Sequence, residues 1–494
     1  MRAYSRRDFM MGALKGGALA ATAGLLPGAL RAFGEGEGDA GNRPNVLFIA
    51  IDDLRPQINC YGHKMMISPN IDRLAGSGVK FSRTYCQYPV CGASRASLLS
   101  GARPTADRFK SYKTRADADM PSAISLPQWF KDHGYHTISN GKIFHHADDH
   151  AAKAWSEKPW FTQGDWAGPG YVTEENKRIC KETGRYVAKP YEAGDYPDNA
   201  NKDGKLAEKT IADLRRMKEA GKPFFLATGF WKPHLPFTAP QKYWDLYDHD
   251  AIDLADNPFR PKGCPDRAMH NWGELRNYYC VPKEGPVSEE MNRTLVHGYY
   301  ACVSYVDAQI GLVLDELDRL GLADNTVVVL WGDHGWNLGE HGLWAKHCNF
   351  DTSLHSPMIV RAPGSKAGVD CAALTEFVDI YPTLCDLCGL PAPDHLEGSS
   401  FAPLLRDPQQ VWKPAVFSKW GKGYSMRTDR YLYTEWVTDE GVETRMLYDH
   451  RVDPAENVNI AEDPANVELV KKLHEMVQAG YKHARPGMPA PAGV

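Results

Sequence analysis

Hydrophobic positions along the chain fall into two kinds of run. Residues 45–51 (Asn-Val-Leu-Phe-Ile-Ala-Ile) are apolar almost without interruption, and so are 224–228, 326–331 and 358–360. A strand that is apolar on both faces belongs inside a parallel sheet covered by helices. Between these runs, over 124–133, 206–220 and 299–320, apolar residues recur every three to four positions, which predicts helices. Strands alternating with helices specify an α/β fold with a large central, mostly parallel sheet flanked by helices. Past residue 405 the runs shorten. Residues 415–418, 425–428, 431–436 and 445–448 alternate between apolar and polar, with turn residues between them. They predict a smaller C-terminal antiparallel sheet, closed by a helix over 467–483. Two stretches, 150–205 and 245–290, carry many Gly, Pro, Trp and Tyr residues with little periodicity. They read as long surface excursions near a site.

The 494 residues, 43% hydrophobic and 24% charged, fit a folded chain that buries a large core without staples. The net charge of −5 argues against a nucleic-acid partner. The first residues form a separate unit. Arg6 and Arg7 stand in a Ser-Arg-Arg-x-Phe setting ahead of an Ala- and Gly-rich stretch broken by Lys15. That stretch is too short and glycine-rich for a stable membrane span. It resembles a twin-arginine (Tat) signal peptide over 1–32, which implies passage through a Tat translocon to a periplasmic or secreted location. Residues 33–43 read as a linker, 44–405 as a catalytic domain and 406–494 as a small C-terminal subdomain. Eleven cysteines leave at least one unpaired within the chain. Cys385 and Cys388 share a Cys-x-x-Cys spacing, but with Leu384, Leu387 and Leu390 around them they read as core residues.

Chemistry gathers at the strand ends. Asp52 and Asp53 directly follow the strand at 45–51, and ligands of open α/β sheets collect at such carboxyl ends. Adjacent carboxylates there repel unless a cation or a set of donors neutralises them. Asp333 and His334 follow the strand at 326–331 in the same way. Two acidic clusters at two strand ends can converge on one hard divalent cation. A third segment, Cys91-Gly-Ala-Ser-Arg95, opens a helix whose first N–H groups favour an anion. Arg95 adds a guanidinium matched to a tetrahedral oxyanion.

From Cys91 to Gly101 the chain resembles the signature of the type I sulfatases of the alkaline-phosphatase superfamily: Cys-x-(Pro/Ala)-Ser-Arg, then Leu-(Leu/Met)-(Ser/Thr)-Gly. Residues 45–55, Gly141-Lys142-Ile-Phe-His145, Trp231-Lys232-Pro-His234-Leu-Pro-Phe237 and the run from Gly332 to Lys346 are similar to the iduronate-2-sulfatase branch in particular, as is Asp333-His334 where most calcium sulfatases carry Asp-Asn. The resemblance implies one Ca2+ ion held by Asp52, Asp53, Asp333 and His334, with residue 91 as an added ligand. It also implies that Cys91 is converted to formylglycine (3-oxoalanine). The hydrated aldehyde would attack sulfur through one hydroxyl. Its second hydroxyl would then expel sulfate, a release route that a serine ester lacks.

The same resemblance gives roles to further residues. Arg95, Lys142 and Lys346 would neutralise sulfate and the charge developing on it. His145 would serve as base in the release step, and His234 would supply the proton to the leaving alcohol. Lys232, Trp336 and Trp344 are expected substrate contacts, a cation for a uronate and aromatic faces for a sugar. Glu340 and His341 are expected to support the site from behind. Ala93 stands where the family usually has Pro, a pattern that radical-SAM maturases accept, and some formylglycine-generating maturase is an implied partner. The expected activity is hydrolysis of a sulfate ester on an oligosaccharide or polysaccharide, at the 2-O-sulfate of a uronic acid as in glycosaminoglycan degradation or in ulvan-like polysaccharides. The alternatives are a phosphonate monoester or phosphodiester hydrolase on the same scaffold, or a non-catalytic glycan-binding protein if Cys91 stays unmodified.

Overall fold

The computed structural model describes residues 43–162, 170–490 and 493–494. The expected export signal over 1–32, and all of the linker but Arg43, lie outside the described residues. The strands of the main sheet are β1 (Asn45–Ile51), β2 (Val79–Phe81), β3 (His136–Gly141), β4 (Phe224–Phe230), β5 (Thr326–Gly332), β6 (Met358–Arg361) and β7 (Val369–Cys371). Their order is β7-β2-β6-β5-β1-β4-β3. The central set β5-β1-β4-β3 is parallel, while β6 runs antiparallel to both β5 and β2.

Every residue of β1, β4 and β5 is buried, as their apolar runs require. Alternation sorts the side chains onto two faces. Leu47, Ile49, Ile51, Leu226, Val328 and Leu330 join one core layer. Val46, Phe48, Ala50, Phe225, Val329 and Trp331 join the other. The principal helices are α1 (Pro69–Ser77), α2 (Cys91–Ser100), α3 (Leu126–Asp132), α4 (Lys202–Ala220), α5 (Glu289–Arg319) and α6 (Ile380–Leu387). Residues of α1, α4 and α5 fill the first layer; those of α2, α3 and α6 fill the second. Helix α5 starts ten residues before the periodicity predicted. Its first turns are polar, and Ser288 fixes its start by accepting a hydrogen bond from the Met291 N–H.

The C-terminal sheet is the expected antiparallel meander: β8 (Ala415–Trp420), β9 (Gly423–Thr428), β10 (Tyr431–Thr438) and β11 (Gly441–Asp449). Helix α7 (Val467–Ala479) packs on it through Val470 and Leu473. Residues 150–205 and 245–290 are more than surface excursions. The first contains a helix, Glu174–Thr183, and a strand, Tyr191–Gly194, paired with Phe237–Pro240. The second buries Trp272, Leu275 and Tyr278 in the main core. Isolated aromatics in an aperiodic stretch can anchor a loop without forming a regular element. Among the described residues, no helix is long and apolar enough to cross a membrane.

Candidate active site

Parallel register brings the two acidic pairs together. Ile51 stands opposite Gly332, so β1 and β5 end side by side. The Asp333 N–H donates to the Ile51 carbonyl at 3.2 Å, and the Asp53 N–H donates to Asp333 Oδ1 at 3.0 Å. Asp52, Asp53, Asp333 and His334 are all completely buried. Oxygens of the three carboxylates lie within 4.8 Å of one another. His334 directs Nδ1 at the Gly335 carbonyl, 2.9 Å away. A carbonyl only accepts, so Nδ1 donates there and Nε2 is the nitrogen turned to the site, 3.3 Å from Asp53 Oδ1 and 3.2 Å from Cys91 Sγ. Three carboxylates and one imidazole nitrogen form a donor set that suits a hard divalent cation. Asp53 adopts a left-handed backbone (φ 61°), a strain of about 1–2 kcal/mol for a non-glycine residue, held by that hydrogen bond and by the pairing of its carboxylate described below.

Cys91 is the first residue of α2 and is 2% exposed. Burial, then Asp52, pushes its thiol up to about 12, so the unmodified side chain is a poor nucleophile. Gly92 follows because there is no room for a side chain: a Cβ there would meet the Tyr112 carbonyl oxygen at 2.5 Å. Three residues on, Arg95 is completely buried. Its Nε donates to Asp333 Oδ2 at 2.9 Å and its Nη2 to Asp52 Oδ1 at 3.0 Å, while Nη1 donates to the Lys142 and Ile143 carbonyls. One guanidinium thus ties the acids of both strand ends to the nucleophile helix. The Ser94 hydroxyl donates to the Asp333 carbonyl and adds a second tie.

Lys142 leaves the end of β3, and its Nζ lies 2.5 Å from Asp52 Oδ2. Burial alone would raise the Asp52 pKa, but Lys142 and Arg95 outweigh it and hold the carboxyl well below its ordinary value. Lys346 Nζ lies 3.0 Å from both oxygens of Asp53 and over the face of Trp336. His145 is pushed down to about 2 by burial and by Lys142, and its Nδ1 is buried without a partner. It is therefore uncharged. His234 is the reverse case. Its Nδ1 faces the Leu235 carbonyl at 2.6 Å and its Nε2 a carboxylate at 3.2 Å, so both nitrogens carry protons. Burial opposes that charge, but Asp53 outweighs it and the imidazole rises to about 10.

That carboxylate belongs to Glu274, which sequence reasoning missed. Glu274 Oε1 also lies 3.0 Å from Lys346 Nζ, and its Oε2 is buried without a partner. Glu274 comes from a one-turn helix, Gly273–Arg276, inside the aperiodic stretch 245–290, where no pattern marked it. Arg276 clamps this turn by stacking 3.5 Å from the Trp272 ring and donating to the carbonyls of Asn271, Pro282 and Gly285.

Asp52, Lys142, His145, Lys232 and His234 line a cavity of about 240 Å³, walled further out by Tyr186, Trp231 and Tyr278. Lys232 is in place, but its ammonium donates to the His234 and Pro236 carbonyls. The expectation for Trp336 and Trp344 needs correction. They are 0% and 3% exposed, packed in the main core, and neither lines the cavity. Trp336 instead backs Lys346. Glu340 pairs with Arg55 at 2.7 Å, behind the Tyr299 hydroxyl that donates to the Asp53 carbonyl. His341 stacks on Phe350.

Residues 44–390 match the family model described as Sulfatase, and residues 339–483 match that described as N-sulphoglucosamine sulphohydrolase, C-terminal. Iduronate 2-sulfatase of Mus musculus is 33% identical over 519 residues, covering 87% of this chain and 93% of that protein. Among solved structures, the phosphonate monoester hydrolase of Agrobacterium radiobacter superposes with a TM-score of 0.73 at 23% identity, covering 90% of this chain and 97% of that one. A 2-O GAG sulfatase superposes with a TM-score of 0.69, also at 23% identity, covering 90% and 95%.

Proposed function

We propose that this chain, which belongs to the sulfatase family, removes the 2-O-sulfate of a uronic acid in a sulfated saccharide. As a family member it is a sulfuric ester hydrolase. The observation that carries the reading is the convergence of Asp52, Asp53, Asp333 and His334 on Cys91, with Lys142, Lys346 and His234 around them. The choice of substrate draws on iduronate 2-sulfatase, 33% identical over most of both chains, and on Lys232 beside the cavity.

Asp52, Asp53, Asp333 and His334 would hold Ca2+, and residue 91, oxidised from cysteine to formylglycine, would face it. Together the ion and the hydrated aldehyde would supply a hydroxyl nucleophile that a buried thiol of pKa about 12 cannot. Arg95 fixes the acids against α2. Lys142 and Lys346 carry positive charge to the sulfate oxygens. His234, protonated on both nitrogens, holds a proton for the leaving sugar oxygen, and His145, neutral, is placed to accept one. The first residues fit export: Tat carries folded proteins, so modification of Cys91 by a maturase in the cytoplasm would precede release to the periplasm or medium. Desulfation of a defined disaccharide panel tests the substrate, with Cys91→Ala as the inactive control. Release from 2-O-sulfated uronic-acid disaccharides supports the reading; release only from hexosamine 6-sulfates overturns it.

A further inference from the structure

Two loops flank the nucleophile outside the cavity, and the fold holds both tightly. Residues 110–113 lie directly on the start of α2, where the Ser111 and Tyr112 carbonyls occupy the space that a side chain at Gly92 would need. The turn between β8 and β9 approaches from the C-terminal sheet. The Gly421 N–H donates to the Tyr88 hydroxyl, which itself donates to the Lys110 carbonyl, so both loops meet at one phenol. On its other side, the Asn349 amide donates to the Gly423 carbonyl. Trp420 stands 5.0 Å from the His347 ring, next to the active-site Lys346, and 5.3 Å from the Tyr88 ring.

These loops carry three cations outside any ion pair. Lys110, Lys113 and Lys422 are exposed, and no ion pair involves them among the described residues. Lys419 lies under the turn against the Tyr424 face, and burial and then Lys110 push its pKa down. Asp107, exposed, is the acid that faces Lys419. Aromatic faces are interleaved: Tyr112 is 55% exposed beneath the Lys113 ammonium and stands edge-on to His145, a cavity residue. In a chain of net charge −5, unpaired lysines on two rigid loops beside the nucleophile form a local positive field. Exposed aromatic faces suit sugar rings.

We propose that the 110–113 loop and the β8–β9 turn form a second binding site, for the anionic sugar units next to the one that loses sulfate. The inference deepens the sulfatase reading by assigning a sulfated oligosaccharide longer than a disaccharide as the ligand. The C-terminal sheet thereby takes part in choosing substrate.

The test measures affinity of the mature, calcium-loaded enzyme for a heparin disaccharide and a heparin decasaccharide, with a dextran decasaccharide as the neutral control. The native chain is expected to bind the heparin decasaccharide on the order of tenfold tighter than the disaccharide, and Lys110→Ala/Lys113→Ala/Lys422→Ala to lose that advantage. Lys218→Ala/Lys222→Ala/Lys471→Ala removes the same charge elsewhere and is expected to keep it. Lys218 and Lys222 precede β4, at the end of the sheet away from the site. The proposal is overturned if the native enzyme shows no length preference, if the control triple loses as much, or if both heparin ligands weaken equally. Because binding is read directly, failure here leaves the regiochemical reading standing, and failure of the disaccharide panel leaves this site standing.

Discussion

At the scale of single residues, the site is a balance of buried charges. Asp52, Asp53, Asp333 and Glu274 face Arg95, Lys142, Lys346 and a protonated His234. Removing one member of such a set leaves its partner buried and unpaired, which costs several kcal/mol. Glu274 is the informative member because it touches both Lys346 and His234 while lying outside every motif. Glu274→Gln keeps the shape and removes the charge. It is expected to lower kcat/KM about tenfold, a share of the usual effect of a proton-transferring group, and to lower the urea midpoint as well, because Lys346 and His234 lose a counter-charge. Glu274→Asp should recover part of the loss. Equal activity of native and Gln forms would show that the contact is incidental. Asp333→Asn is expected to abolish tight Ca2+ binding by calorimetry, because it removes one of three carboxylates and a ligand of Arg95 together.

At the scale of elements, close backbone approach decides which changes the fold tolerates. In β4, Gly229 faces the Lys142 backbone, and a Cβ there would sit 2.0 Å from the Lys142 carbonyl oxygen. Gly229→Ala must push β3 and β4 apart. It is expected to cost about 2 kcal/mol, read from the urea midpoint, and to lower kcat more than a surface change of equal cost. A second device joins the C-terminal sheet to the α/β layers. Glu376 is buried between Arg103, at 2.6 Å, and Lys413, at 2.7 Å. Burial would raise its pKa, but Arg103 and Lys413 outweigh it and hold the carboxyl at about 2. Asp379 beside it is pushed up by burial and by Glu376, so it takes protons first. A lowered folded-state value means that the unfolded chain binds the proton more readily. The stabilisation from Glu376 is therefore full above its ordinary pKa of 4.5 and lost as pH falls toward 2. Thermal melts of the native chain should drop steeply over that window, and Glu376→Gln should flatten the drop. A parallel drop in both would assign acid unfolding to other groups.

At the scale of the whole molecule, a bound cation would add to stability through the same acids it neutralises. Chelation of the calcium-loaded protein is expected to lower the melting temperature, and readdition of Ca2+ to restore it. A free concentration of one hundred times Kd corresponds to about 2.7 kcal/mol. The sequence by itself determined the α/β layering, because runs apolar on both faces have no stable place except inside a covered sheet. It also placed Asp52, Asp53, Asp333 and His334 at strand ends and Cys91 and Arg95 on a helix start, since strand ends and local motifs are one-dimensional features. What only the tertiary structure decided depends on distant chain segments meeting. An aromatic in a glycine-rich loop is as compatible with a core as with a sugar-binding rim, and packing sent Trp336 and Trp344 inward. Glu274 belongs to a stretch without period and acquires meaning only because Arg276 and Trp272 clamp its turn against Lys346. The two lysine-bearing loops, more than three hundred residues apart in sequence, face one nucleophile only because Tyr88 and Gly92 let both backbones settle there.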